Sequence, residues 1–132
     1  MPHAVWTTYP MDSETEDPTN AIVNGVWTAP CDGYVTASAT HAITYTGVER
    51  TYTQESRLII GGVGTFRGTS TQKQDGNQNI GTMRTSVTHN AWIQAGATIT
   101  QQVYYETELG LDRNTQRDSH FSVMFTAGSK GV

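Results

Sequence analysis

Residues 26–45 read VWTAPCDGYVTASATHAITY, and the alternation within this stretch decides the fold class. After the turn signal Asp32-Gly33, one phase of the alternation is mostly small or apolar: Val35, Ala37, Ala39, Ile43 and Tyr45. The other phase begins with Tyr34 and continues with Thr and Ser residues. A period of two residues is typical of a strand with one buried face, and β-branched Thr suits a pleated surface. We therefore predict a long, half-buried strand here.

The same alternation recurs in three later segments, each with its apolar residues in one phase: Met83, Val87, Ala91 and Ile93; Ile99, Val103 and Tyr105; and Phe121, Val123 and Phe125. Turn residues separate the runs, as at Asn24-Gly25, Gly61-Gly62 and Ala95-Gly96. No window of 11 or more residues has a helical apolar period. The pattern predicts an all-β fold, a two-sheet antiparallel sandwich of about eight strands. The polar ranges 67–79 and 106–118 are predicted to be long loops.

The length of the chain indicates one folded domain. A chain of 132 residues lies in the usual range for a single domain and is long enough to bury a core. Charged residues make up only 15%, which argues against a coiled coil or a disordered polyelectrolyte. We predict a β-domain over residues 21–132, preceded by an extended N-terminal arm over residues 1–20.

The excess negative charge lies entirely in that arm. The formal net charge is −4, and residues 1–20 hold four acidic residues and no Lys or Arg: Asp12, Glu14, Glu16 and Asp17. The remainder has 12 − 4 = 8 acidic residues and 8 basic residues, and is neutral. Nucleic-acid binding needs clustered Lys and Arg, so this distribution argues against a nucleic-acid partner and also against an anionic membrane surface.

The arm has two possible interpretations. It is either a solvated tail or a segment that binds a partner, and Trp6 and Tyr9 favour the second because aromatic residues often anchor interfaces. In the second case, the arm binds a partner protein or a neighbouring subunit through Trp6, Tyr9 and the four acidic residues. Arg113 and Arg117 are possible charge partners for the arm of a neighbouring subunit, or else ordinary solvated loop charges.

No catalytic or metal-binding pattern stands out. The four histidines are His3, His41, His89 and His120, and none has a metal-ligand spacing to another His or Cys. His41 and His89 fall in inward phases, which favours hydrogen-bonded strand residues. There is no nucleophile-elbow pattern, and the single Cys31 excludes an internal disulfide. No apolar run approaches the roughly 18–20 residues that span a bilayer, and we read no signal peptide. We predict no enzymatic activity, no metal and no cofactor.

Three segments resemble motifs of the C1q/TNF-like jelly rolls, in the same order. They are VWTAPCDGY at 26–34, which is similar to the family's T-A-P-x-D-G-x-Y entry strand, the Gly-centred strand pair at 92–99 and the aromatic closing strand at 119–125. These segments lie between residues 26 and 125, and the resemblance as a whole covers residues 22–127. The resemblance implies a jelly-roll sandwich that assembles as a homotrimer. If the outward phase of the closing strand meets the three-fold axis, His120 and Met124 are trimer contacts.

The resemblance also indicates two functional classes. Short jelly rolls of this kind occur in bacteriophage structural proteins, which favours a capsid decoration or cement protein. We expect such a trimer to be made in the host cytoplasm and to bind the major capsid protein on the virion surface. A chain that begins at Met1 with no shaft before the domain fits this expectation. The alternative is a receptor- or glycan-binding C1q-like module, such as a tail-fibre tip or a bacterial lectin, with its ligand on the predicted loops.

Overall fold

The computed structural model describes residues 4–8, 22–23, 25–45, 51–74, 81–107 and 119–128. The described residues form nine strands: β1 (Thr7–Thr8), β2 (Ile22–Val23), β3 (Val26–Thr28), β4 (Gly33–Tyr45), β5 (Thr51–Ile60), β6 (Gly64–Gln74), β7 (Gly81–Ile93), β8 (Thr98–Thr107) and β9 (His120–Ala127). Two of these strands are only two residues long.

The strands form two antiparallel sheets. The larger has the order β2-β3-β8-β5-β6, and the smaller has the order β7-β4-β9. Strand β1 also belongs to the larger sheet. It pairs with Gln102 and Val103 of β8, on the same side of β8 as β3, which pairs with residues 98–100. From β3 onward the chain crosses between the sheets at almost every connection, as in a jelly roll. The predicted all-β, two-sheet jelly-roll sandwich is confirmed.

Strand β4 is the centre of the smaller sheet. It pairs with β7 from Gly33↔Ile93 to Tyr45↔Gly81, and with β9 along its first eight residues. Its alternate residues Val35, Ala37 and Ala39 are buried, as the sequence predicts. Because these side chains are small, the opposite sheet can pack closely over them, with Trp27, Leu58 and Ile99 among its core residues.

The motif around Asp32 joins the turns at one end of the sandwich. The Asp32 carboxylate accepts a hydrogen bond from the Ala95 backbone N–H at 2.8 Å, and its carbonyl accepts one from the Gly128 N–H at 3.0 Å. The next residue, Gly33, has to be a glycine, because a Cβ at this position would lie only 2.7 Å from the Phe125 ring. This motif therefore fixes three chain segments together.

The prediction of a loop at 67–79 is wrong for residues 67–74. These residues belong to β6, which pairs with β5 from Ile60↔Gly64 to Thr51↔Gln74. The segment is rich in Thr, Ser and Gln and lacks an apolar phase, because β6 is an edge strand of the larger sheet and is largely exposed where its side chains are described. Residues 106 and 107 likewise end β8, and residues 108–118 lie outside the described residues.

A β-bulge in β6 brings the two sheets together at their edge. The register places Gly68 and Thr69 opposite the single residue Ser56 of β5. The Thr69 hydroxyl donates to the Ser86 carbonyl on β7 at 3.1 Å and accepts from the Ser86 N–H at 2.7 Å. A Cβ on Gly68 would overlap the Ser86 carbonyl oxygen and lie 2.5 Å from the Val87 Cα. Only glycine permits this close contact between backbones.

The substitution Gly68→Ala is expected to lower the free energy of unfolding by about 1–3 kcal/mol, because the added methyl overlaps backbone atoms of β7. The matched control is Gly128→Ala, since a Cβ there has no heavy atom within 4 Å, and it should change stability by less than about 0.5 kcal/mol. Urea denaturation of both variants measures the difference. Equal stability of the two would contradict the close contact.

Candidate functional site

Three of the residues predicted to contact a partner fall within the described part of the chain. His120 and Met124 lie on β9 with exposed side chains, and Trp6 immediately precedes β1. The other predicted partner-binding residues and charge partners lie outside the described residues: Tyr9, Asp12, Glu14, Glu16, Asp17, Arg113 and Arg117. Their predicted roles stay predictions.

Most of the outward side of the smaller sheet is an uncharged surface, which we call the small-sheet face; the exposed Arg84, opposite Ala42, lies in the row just beyond it. Four rows across β7, β4 and β9 define it: Trp92, Tyr34 and Thr126; Asn90, Thr36 and Met124; Thr88, Ser38 and Ser122; and Ser86, Thr40 and His120. These rows contain no Asp, Glu, Lys or Arg. The face therefore presents hydroxyls, an amide, an imidazole, two aromatic rings and one thioether.

The small-sheet face exposes apolar surface at one end. Met124 is 72% exposed and Tyr34 is 45% exposed, although both are large apolar side chains. They border a shallow depression of about 420 Å³ whose walls also include Asn90 and Trp92. In the middle of the face the hydroxyls of Thr88 and Ser38 bond to each other at 3.1 Å.

The described part of the predicted arm lies on the larger sheet of its own chain. Besides the β1 pairing, the Ala4 N–H donates to the Tyr105 carbonyl at 2.8 Å. The Trp6 ring packs against Tyr104, with 5.4 Å between ring centroids, and the Arg57 guanidinium carbon lies 4.1 Å from the Trp6 centroid. These contacts make residues 4–8 an added edge segment of the sandwich.

Four residues cross the outward side of the larger sheet in one row, which we call the arginine row. They are Arg67 on β6, Arg57 on β5, Gln102 on β8 and Thr8 on β1. The Arg57 Nε donates to the Gln102 Oε1 at 2.7 Å, and the Gln102 Nε2 donates to the Thr8 hydroxyl at 3.3 Å. The arginine row therefore ties the arm to the middle of the sheet.

A polar cluster lies buried between the two sheets. The His41 cluster consists of five fully or almost fully buried side chains: His41, Gln54, Ser56, Thr85 and Gln101. The ring of His41, on β4, bonds to two residues of the opposite sheet: Nδ1 to the Ser56 hydroxyl at 2.8 Å and Nε2 to the Gln101 Oε1 at 2.5 Å. The Ser56 hydroxyl also bonds to that of Thr85 at 2.7 Å. Gln54 Nε2 approaches the carbonyl oxygens of His41 and Met83 at 3.1 and 3.2 Å.

Burial between the sheets keeps the His41 ring neutral. Because Gln101 Oε1 accepts, Nε2 carries the proton, and Nδ1 accepts from Ser56. Burial lowers the pKa of His41 to about 4; the Gln101 hydrogen bond acts in the opposite direction, and the charge of His120 lowers the pKa further. The chain of hydrogen bonds from Ser56 through His41 to Gln101 is similar to that of a catalytic nucleophile, its base and the residue that orients the base. All three side chains are, however, 0% exposed. No substrate can reach them in this conformation, so their role is structural.

The sequence predicts His41 as an inward, hydrogen-bonded strand residue, and the structure confirms it, but its partners were not identified although one signal was present. Gln54 and Ser56 share a phase with Leu58 and Ile60, and Gln101 shares one with Ile99 and Val103. Polar residues in an apolar phase mark buried hydrogen-bonding positions when they can pair across the core. His89, the other inward histidine, stacks on Phe66 with 3.5 Å between ring centroids.

Among the described residues, no three His, Cys, Asp or Glu side chains come together in a way that could hold a metal ion. Within the same part of the chain, no helix has the length and hydropathy that crossing a bilayer requires. Cys31 is exposed and is not part of a disulfide.

No protein-family model and no curated protein matches the chain. Among solved structures, the globular domain of zebrafish complement 1qA protein is similar, with a TM-score of 0.49. The two chains are 10% identical, and the similarity covers 93% of this chain and 84% of that one.

Acidification is expected to destabilise the protein through His41. Its pKa is about 4 in the folded state and about 6.5 when unfolded, so the unfolded chain takes up this proton first as pH falls. The contribution of neutral His41 to the free energy of unfolding is therefore complete above pH 6.5 and is lost as the pH falls from about 6.5 to 4. The shift corresponds to a loss of about 3 kcal/mol in the free energy of unfolding.

Two measurements check this prediction. Imidazole NMR signals should show His41 neutral down to about pH 4, while urea denaturation at pH 7.5, 6 and 5 should show stability falling with pH. A His41 signal that titrates near pH 6.5 would contradict the buried neutral ring.

Proposed function

We propose that the protein is a non-enzymatic structural module that assembles as a homotrimer through its small-sheet face. The observation that carries the proposal is the composition of that face, which exposes Met124 and Tyr34 among hydroxyls and lacks charged residues in all four rows. Interface cores are depleted of charge and enriched in aromatic residues and Met. Closed cyclic symmetry is the usual state of homo-oligomers.

The geometry of the sandwich supports this choice of surface. Trp92, Tyr34 and Met124 occupy neighbouring rows on a sheet whose other side is the core, so their backbone positions are fixed before assembly. A preorganised surface loses little conformational entropy when it is covered. His120 lies four residues from Met124 in the same phase, and so extends the contact along β9. These two residues are the trimer contacts that the sequence predicts.

We further propose that the trimer is a decoration or cement protein on the outer capsid surface of a tailed phage. Support comes from the resemblance to phage jelly rolls and from the acidic residues concentrated in residues 1–20, which suit a basic capsid surface. Three symmetric copies of a weak contact would give avidity over neighbouring capsid subunits. The protein then strengthens the shell by bridging subunits of the major capsid protein.

A second candidate is a receptor- or glycan-binding module. It is favoured by the arginine row and the adjacent rings of Trp6 and Tyr104, which give the larger sheet a polar and aromatic outward side. This side lies across the core from the small-sheet face, so it stays exposed in the proposed trimer.

The trimer is tested by light scattering after size exclusion. The native chain is expected at three times 14.4 kDa, or about 43 kDa, and Met124→Glu at 14.4 kDa because it places a charge in each contact. Val63→Glu is the matched control, since Val63 is also an exposed large apolar residue but lies in the β5–β6 turn. A native monomer, or dissociation by the control substitution as well, would contradict assembly through this face.

The capsid role is tested with phage particles that lack the protein. These particles should lose their genome at a lower temperature than complete particles. Added native protein should co-sediment with them and restore their heat resistance. Met124→Glu should restore less, because a monomer loses the avidity of three contacts. Unchanged heat resistance together with no co-sedimentation would reject the capsid role.

A further inference from the structure

We propose that Arg57 and Arg67, supported by Trp6 and Gln102, form a binding site for the carboxylate of an acidic saccharide. The site lies on the outward side of the larger sheet, across the core from the small-sheet face. The inference deepens the second candidate function and rests on it, because it names the class of ligand that this side would recognise.

The first observation is an electrostatic conflict. Arg57 and Arg67 are directly opposite each other on β5 and β6, although like charges at such positions destabilise a sheet. Burial and the charge of Arg67 both lower the pKa of the Arg57 guanidinium. Among the described residues, the compensating ion pair is Glu55 to Arg67, at 3.9 Å, with 68% of the Arg67 side chain exposed. An anion between the two guanidinium groups would remove the repulsion.

The second observation is that Arg57 is already held in place. Its Nε donates to Gln102, and the Trp6 ring packs on its guanidinium at 4.1 Å. Because Nε already donates to Gln102, a carboxylate would bind at the edge of the guanidinium formed by the two Nη atoms. Arginine binds carboxylates at such an edge with two parallel hydrogen bonds. The more exposed Arg67 can adjust to the second carboxylate oxygen or to a neighbouring ring oxygen. A preordered partner of this kind lowers the entropy cost of binding.

The surroundings favour a saccharide over a peptide. Strands β5 and β8 are each paired on both sides along the arginine row. The edge of β6 beside Arg67 is interrupted by the bulge at Gly68 and Thr69, where Thr69 bonds to β7, and a bulged edge is a poor template for an extended peptide. Around the two arginines lie the Gln102 amide, the Thr8 hydroxyl and the Tyr104 hydroxyl, which donates to Glu106 at 2.8 Å. Amides, hydroxyls and aromatic rings on a flat surface are groups that can match the hydroxyls and ring faces of a sugar.

The experiment is an NMR titration of the native full chain with trigalacturonate, read at the arginine Nε–H signals. Maltotriose is the uncharged saccharide control, and hexaglutamate is the acidic peptide control. The variant is Arg67→Gln, whose side chain is largely exposed, so the fold should persist; the matched control is Arg84→Gln, an exposed arginine of the smaller sheet. Urea denaturation verifies that both variants are folded.

We expect saturable shifts at Arg57 and Arg67 with trigalacturonate, an affinity at least about tenfold lower in Arg67→Gln, and a change of less than about twofold in Arg84→Gln. Binding should also weaken at 0.5 M salt, which screens exposed charges (Debye length of roughly 3–5 Å at such ionic strength). Equal affinity for maltotriose, an equal loss in Arg84→Gln, tighter binding of hexaglutamate, or no shift at millimolar trigalacturonate would each overturn the proposal. Saturable maltotriose binding away from the arginines would overturn this site while leaving glycan recognition in place.

Discussion

The hydrogen bonds of His41 connect the two sheets and fix which side of β4 faces inward. One ring bonds to Ser56 on β5 and to Gln101 on β8, and the three side chains are fully buried. A slip of one residue in β4 would move every side chain of that strand to the opposite face and leave buried polar groups of the other sheet unsatisfied. The outward position of Tyr34, and with it the character of the small-sheet face, therefore depends on this cluster.

The two outward sides that result have different chemistry. The small-sheet face carries hydroxyls, Tyr34, Trp92 and Met124, and its four rows lack charge. The larger sheet carries the arginine row, and the Trp6 ring, just before β1, packs on its Arg57. Covering the first side by self-assembly removes exposed apolar surface, whereas the second side keeps charged groups that are better left in contact with water or an anion.

Part of this organisation could be predicted from the sequence, because alternation reports which residues share a face. It correctly placed the buried residues of β4 and the outward positions of His120 and Met124. It missed residues 67–74 because an exposed edge strand needs no apolar phase. It placed His41 inward but missed the partners of His41 and the Arg57–Arg67 pair, since both depend on how distant strands are aligned. The Arg57–Arg67 pair depends in addition on the bulge at Gly68.

The central claim is that another copy of the chain covers the small-sheet face in solution. The most direct test is the rate at which peroxide oxidises Met124, which is 72% exposed in the single chain, with buried Met83 (3% exposed) as the internal reference. The account predicts that Met124 reacts at least about tenfold more slowly than free N-acetylmethionine at high protein concentration, and faster on dilution below the assembly threshold. A rate close to that of the free amino acid at every concentration would contradict the claim.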